Sequence, residues 1–446
     1  MATNSRDIGS STGRTIGLTA AVAVLVSNMI GTGVFTSLGL QVVGTHSGFA
    51  LLTLWALGGV AALSGAACYA ELSAAMPRSG GEYVYLGEIF HPFVGFLGGW
   101  VSMTVGFAAP IALAGIAFGR YLSAVVPITP LQGSLVAIGV VTVVHASDLR
   151  VARRFQIVVT SVIVALIIGF IIAGLRVPRP EAISFAPSRA ALGEIISAPF
   201  AVSLIYVSYA YSGWNAAGYI AGEIRDPQRT LPRALGFSAA VVAVLYVLLN
   251  WAFLRAVPIG ALSGVVEVGA LAATRMVGPA GGRLMSAVIA AVLVGAMSAM
   301  VLAGSRVTQA IVADVPALRV VAARSRGGVP RKAILAQVGL TIALLLSNAF
   351  EPIVTYAGFT LELVTLLAIA GLVLRRRRGA PLPGAVRAWG YPVTAIVYAA
   401  ISVWTLLFVV LQRPVESLAG VATLLVGAIL YYVIGRLSAR TDQVDG

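Results

Sequence analysis

The chain has 446 residues, of which 59% are hydrophobic and 10% charged, with a mean hydropathy of +0.96 and a formal charge of +14. A soluble domain is about a quarter charged, so a soluble enzyme is excluded. Nucleic-acid binding is excluded as well, because the positive charge is distributed between apolar runs and not gathered on one segment.

A helix that crosses a bilayer needs about 20 mostly apolar residues, and twelve such spans are predicted behind a polar tail at 1–14. Arg6 and Arg14 precede the first apolar run as in a signal peptide, but no small-residue cleavage signal follows, so the run is read as a retained helix. The first set of spans is 15–43, 48–75, 92–124, 131–146 and 153–175; the second is 195–221, 233–256, 283–313, 332–349 and 352–374. Spans 391–411 and 415–436 complete the series, giving predicted units at 15–180, 190–378 and 388–436 with a tail at 437–446.

Arginines set the orientation. With the N-terminus inside, the cytoplasmic links hold Arg78, Arg150, Arg153, Arg154, Arg225, Arg229 and Arg233. Farther along they hold Arg319, Arg324, Arg326, Arg331, Lys332, the run Arg375 to Arg378, Arg387, Arg436 and Arg440. The opposite side holds fewer: Arg176, Arg179, Arg189, Arg255, Arg275, Arg283 and Arg413. The positive-inside rule therefore places both termini in the cytoplasm of a bacterial inner membrane. The run 375–378, directly after an apolar span, reads as a topology anchor.

Two spans are interrupted near mid-membrane. The first carries Ser27-Asn28-Met29-Ile30-Gly31-Thr32-Gly33-Val34-Phe35, and the sixth carries Ser208-Tyr209-Ala210-Tyr211-Ser212-Gly213-Trp214-Asn215. Unpaired backbone groups at that depth cost several kcal/mol each, so such breaks persist where they are buried in protein or line a cavity. Each break opens a set of five spans; because five is odd, the second set enters from the opposite side and an inverted repeat follows.

A broken helix frees N–H groups at the start of its second half and C=O groups at the end of its first half. In the first span the N–H groups around Ile30, Gly31, Thr32, Gly33 and Val34 favour an anion such as a carboxylate. In the sixth span the carbonyls around Tyr206, Tyr209 and Ala210 favour a cation such as an α-ammonium. Together the breaks match the two poles of an amino-acid zwitterion. Close helix packing by small residues is the competing reading of Gly-Thr-Gly.

The run Ile30-Gly31-Thr32-Gly33-Val34-Phe35 resembles the first-helix glycine signature of the amino acid-polyamine-organocation superfamily. Glu71-Leu72 with Pro77-Arg78-Ser79-Gly80-Gly81-Glu82-Tyr83-Val84-Tyr85 is similar to the segment after its second span. Tyr211-Ser212-Gly213-Trp214-Asn215, running on to Gly222-Glu223-Ile224-Arg225-Asp226-Pro227 and Leu231-Pro232-Arg233, resembles bacterial amino acid permeases and the L-type exchangers. The resemblance implies an all-α, leucine-transporter-like fold and alternating access: a 5+5 inverted repeat with two further C-terminal helices. It also implies Gly213 and Trp214 near the substrate, and a re-entrant helix after Pro77. Many relatives keep a lysine in the fifth span; here Thr160-Ser161-Val162-Ile163-Val164 has none, Ile163 takes its position, and the chain's one lysine is Lys332.

Glu362, halfway along the tenth span, is a coupling candidate, because an intramembrane carboxylate is expensive unless paired, protonated or hydrated. Ser298 in the eighth span is a second, as an oxygen donor for Na⁺. Glu71 and Glu223 read as loop braces to arginines such as Arg78 and Arg225. His46, His91 and His145 form no zinc pattern, Lys332 follows Arg331 and so forms no phosphate loop, and no cofactor or catalytic residue is expected. Tyr206, Tyr209, Tyr211 and Trp214 cluster at the sixth-span break as a candidate gate. The one cysteine, Cys68, lies in an apolar run and offers no disulfide to a partner. The leading reading is thus a permease for a neutral amino acid, by uniport, exchange or symport with H⁺ or Na⁺, as a monomer or homo-oligomer in the lipid bilayer. A cationic amino acid or polyamine carrier, or a non-transporting sensor, are the alternatives.

Overall fold

A computed structural model of the protein describes residues 15–147, 150–177, 180–313, 331–379 and 386–444. Arg6, Arg14, Arg179, Arg319, Arg324 and Arg326 lie outside the described residues, as do the side chains of His145, Arg150, Arg153, Arg154, Thr160, Arg306, Arg436 and Arg440. Helix occupies each of the predicted spans. Among the described residues, eight helices are long and apolar enough to cross a membrane, and a bent pair, Arg189–Ile195 with Ala198–Glu223 at 62°, makes a ninth. Two shorter apolar helices cover Pro130–Val144 and Ser161–Leu175.

The first span is two helices, α1 (Leu18–Met29) and α2 (Gly33–Gln41). Helix α1 stops because Ile30 turns extended, at φ −82° and ψ 91°. Helix α3 (Gly48–Ala75) starts at Ser47, whose Oγ accepts from Ala50 N, while the Glu194 carboxylate takes the N–H groups of His46 and Ser47 at 3.1 and 2.9 Å. A carboxylate there satisfies orphan donors and suits the positive end of the helix. A short helix α4 (Glu82–Ile89) follows, as the resemblance implies for the segment after Pro77. The third span is α5 (Pro92–Val101), a π-helical turn at Ser102–Phe107 and α6 (Ala108–Ser123). Then come α7 (Pro130–Ser147), α8 (Arg150–Leu175) and the short α9 (Arg189–Ile195).

The sixth span divides into α10 (Ala198–Tyr211) and α11 (Ala216–Ile220). Helix α12 (Pro227–Ala256) leads to α13 (Ile259–Leu262) and α14 (Val268–Ala313), which kinks at Gly278 (φ 85°) and Pro279. Helices α15 (Arg331–Leu346), α16 (Phe350–Arg377), α17 (Val393–Gln412) and α18 (Pro414–Val444) complete the fold. Large apolar side chains on α18, such as Leu418, Leu425 and Ile429, are exposed, as expected of a helix that turns one face to lipid.

Both broken spans dock on the segment that follows a neighbouring span. On α2, Gly39 O accepts from Gly264 N at 2.8 Å, and a Cβ on Gly39 would stand 1.9 Å from Val265 O. On α11, Gly218 O accepts from Gly80 N and Gly81 N, each at 3.3 Å, and a Cβ on Gly218 would meet Gly81 Cα at 2.9 Å. These are backbone-to-backbone contacts that a side chain would wedge apart.

Glu71 braces an arginine, as expected: Arg376 Nε donates to it at 2.9 Å, and Ala388 N donates to it at 2.7 Å. Arg376 also stacks 3.9 Å over the Tyr391 ring. A member of the arginine run thus ties the C-terminal ends of α3 and α16 together with the lead into α17.

Replacing Gly39 by Ala is expected to lower stability by about 1–3 kcal/mol through overpacking. Gly139→Ala, a helix position where a Cβ meets nothing within 4 Å, raises it by up to about 1 kcal/mol. Melting of the two variants in detergent checks the contrast.

Candidate functional site

The two breaks touch. Gly213 adopts φ +108°, and a Cβ there would stand 2.4 Å from Asn28 O. A Cβ on Gly33 would stand 2.6 Å from both Cα and Cβ of Ala210. The Tyr246 hydroxyl, from α12, lies 2.7 Å from Met29 O and 3.2 Å from Ala210 O, so one side chain reaches the carbonyl end of α1 and that of α10. Tyr209 O takes both the N–H and the Oγ of Ser212, at 3.1 and 2.7 Å. Two of the sixth-span carbonyls expected to face a cation, those of Tyr209 and Ala210, thus accept hydrogen bonds within the protein.

The N–H end of α2 is different. Ile30 N–H still bonds to Val26 O, whereas α2 begins at Gly33 and its first N–H groups have no partner one turn back. Beside them is a cavity lined by Asn28, Met29, Gly31, Thr32 and Gly33, by Tyr209, Ala210 and Ser212, and by Pro110, Ala114, Ala296 and Met300. Among the described residues, no charged side chain lines it. A Cβ on Gly31 would meet nothing within 4 Å. The two glycines thus have separate reasons: Gly31 leaves the backbone open toward the cavity, and Gly33 permits the close contact of the two broken spans.

Two acceptors face this space. Asn28 Nδ2 donates to Val24 O at 2.8 Å, which leaves Oδ1 as the amide's acceptor, and Ser212 Oγ retains lone pairs after donating to Tyr209 O. The wall opposite the breaks is apolar and comes from α6 and α14. It follows the π turn of the third span, a distortion frequent near functional sites.

The other expected residues lie elsewhere. Ile30 and Val34 are buried in the core, outside this cavity. Tyr206 points away from both breaks and donates to Glu351 at 2.9 Å, where Arg413 also binds. Ser298 is buried on α14, and Ala296 and Met300 line the cavity in its place. Ile163 is buried. Tyr211, Gly213 and Trp214 line a second cavity on the far side of the sixth span, together with Glu362. Trp214 packs edge-on against Tyr69 at 4.8 Å.

Sequence reasoning missed one contact. The buried Glu82 carboxylate accepts from Tyr69 OH at 3.0 Å, Asn215 Nδ2 at 3.1 Å and Tyr219 OH at 2.9 Å. These bonds join α4 to α3 and to the second half of the sixth span. Glu82 and Asn215 stand in the quoted motifs, and their pairing is a tertiary fact. Tyr246 sits in an ordinary apolar run and gives no signal in the sequence.

Gly31→Leu is expected to fold and to lose ligand binding by at least about tenfold, since bulk enters the cavity at the N–H groups. Gly33→Leu is expected to lower the melting temperature, because it must part Gly33 from Ala210. Melting curves with and without amino acids separate the two effects.

A family model described as Amino acid permease matches residues 16–434. The chain is 33% identical over 261 residues to Asc-type amino acid transporter 1 of Mus musculus, covering 54% of this chain and 47% of the relative. It is 31% identical over 252 residues to b(0,+)-type amino acid transporter 1 of Rattus norvegicus, covering 53% of this chain and 50% of the relative. In both cases the match spans about half the length of the relative. Over 432 residues it is 27% identical to Large neutral amino acids transporter small subunit 2 of Mus musculus, covering 94% of this chain and 80% of the relative. The chain is a multi-pass membrane protein that belongs to the amino acid permease family, within the amino acid-polyamine-organocation superfamily.

Proposed function

We propose that the protein carries a neutral amino acid across a bacterial inner membrane by alternating access, with both termini in the cytoplasm. The substrate carboxylate binds the free N–H groups of Gly31, Thr32 and Gly33, which line the cavity at a helix end that favours negative charge. Its α-ammonium binds Asn28 Oδ1 and Ser212 Oγ, in place of the carbonyls already engaged. The observation that carries this reading is the cavity at the touching breaks: polar along the backbone, apolar along Pro110, Ala114, Ala296 and Met300, and without a charged side chain. An apolar wall suits a neutral side chain. The names of the relatives, all amino acid transporters, support the substrate class.

The twelve spans form two inverted sets of five, with α17 and α18 outside the repeat. The matched docking of α2 on 262–265 and of α11 on 80–81 supports that symmetry, since each half of a repeat would present the same contact on opposite sides of the membrane. The outer half of the first span and the inner half of the sixth are then the parts that swing to open each side. The protein acts as a monomer or homo-oligomer, with no disulfide-linked partner.

A carrier of cationic amino acids is the weaker reading. Its carboxylate would be Glu362, which lines the cavity on the other side of the sixth span.

Purified protein in proteoliposomes, loaded with unlabelled amino acid, is expected to take up labelled neutral amino acids in a saturable way and to ignore arginine, glutamate and polyamines. Uptake confined to arginine or polyamines contradicts the neutral reading, and binding without any uptake points to a sensor.

A further inference from the structure

The second cavity lies between α3, the sixth-span break, α16 and α17. Its polar lining is Ser208, Ser212, Asn215, Glu362, Thr365 and Tyr398. Glu362 is 9% exposed, in mid-helix, and accepts a hydrogen bond from Ser402 Oγ on α17. Among the described residues, no lysine, arginine, histidine, aspartate or second glutamate lines the cavity; the other titratable groups there are Tyr209, Tyr211 and Tyr398. Charged groups on the packed helices are engaged elsewhere: Glu351 with Arg413, Glu71 with Arg376, and Glu82 with its three neutral donors.

A carboxylate inside the membrane with no countercharge in its cavity is costly while ionised, and uptake of a proton removes that cost. We propose that this cavity is a proton site apart from the substrate cavity, and that Glu362 binds one H⁺ from water on the outer side and releases it on the inner side in each transport cycle. The proton forms an O–H bond on the carboxyl and returns to water; no electrons move. This rests on the transport reading and adds its driving ion.

The placement provides the coupling. Tyr209 and Ser212 line both cavities, so substrate at Gly31 and a proton at Glu362 act on opposite faces of one break. Asn215 lines the proton cavity and donates to Glu82, which joins α4 to the second half of the sixth span. Each ligand shifts the carrier by its difference in affinity between the inward and outward forms, and a shared element lets both act on the same equilibrium.

The test uses proteoliposomes with a pH dye inside and L-alanine, L-serine and L-leucine as probes. In the wild type, inward transport is expected to acidify the lumen, and an inward-directed H⁺ gradient is expected to drive accumulation. Glu362→Gln is expected to lose both while retaining counterflow of the same amino acids, and Glu362→Asp to keep both. Should Glu362→Gln not fold, Ser402→Ala is expected to shift the pH profile of accumulation while leaving counterflow saturable; an unmoved profile overturns the proposal. Counterflow in the wild type without proton movement, accumulation driven by Na⁺ in its place, or proton flux surviving Glu362→Gln each overturn it too. Absence of both counterflow and amino acid binding in the wild type overturns the transport reading and this inference with it.

Discussion

The Tyr246 hydroxyl reaches the carbonyl ends of both broken helices, and the rest of the site depends on that contact. Breaking a helix in the membrane core exposes peptide groups where no bulk water can satisfy them, at a cost of several kcal/mol each. Here the carbonyl side of that cost is met inside the protein, by Tyr246 at Met29 and Ala210 and by Ser212 at Tyr209. The N–H end of α2 faces the cavity instead. The site is therefore polar in one sense: it offers donors from the backbone and acceptors from Asn28 and Ser212 side chains.

Glycine makes that arrangement sterically possible. Gly33 against Ala210 and Gly213 against Asn28 bring the two breaks to contact distance, so each buries the exposed peptides of the other. Farther out, one backbone hydrogen bond at Gly39 and two at Gly218 hold the half-helices α2 and α11 to the segments beside them. Each has a net worth of about 1 kcal/mol. One end of the bundle adds Glu82 with Tyr69, Asn215 and Tyr219, and another contact joins Glu351 with Arg413 and Tyr206.

Much of this was legible in the sequence. The apolar runs located the helices to within a few residues, because a bilayer imposes length and composition on each span. The breaks were visible as glycine and polar residues where apolar ones belong, and Gly31, Thr32, Gly33 and Ala210 do line one cavity. What the sequence did not carry was partnership across the bundle. The carbonyls of Tyr209 and Ala210 looked free because their partners include Tyr246, some 36 residues away. Tyr206, one and a half turns before the break, faces the ion pair of Glu351 and Arg413, a question of helix phase that pattern alone leaves open. The brace of Glu71 to an arginine was legible, but that Arg376, 305 residues away, supplies it was not.

Membership in the amino acid permease family accords with these particulars, and the geometry adds two cavities that share Tyr209 and Ser212 at the sixth-span break. The central claim is that the free N–H groups of α2 hold the carboxylate of an amino acid. The most direct measurement is calorimetric titration of the purified protein with a transported amino acid, its carboxamide and the corresponding amine lacking the carboxyl group. The account predicts that the amino acid binds and that both analogues lose at least about tenfold in affinity, the worth of roughly 1.4 kcal/mol. Equal affinity for all three would contradict it.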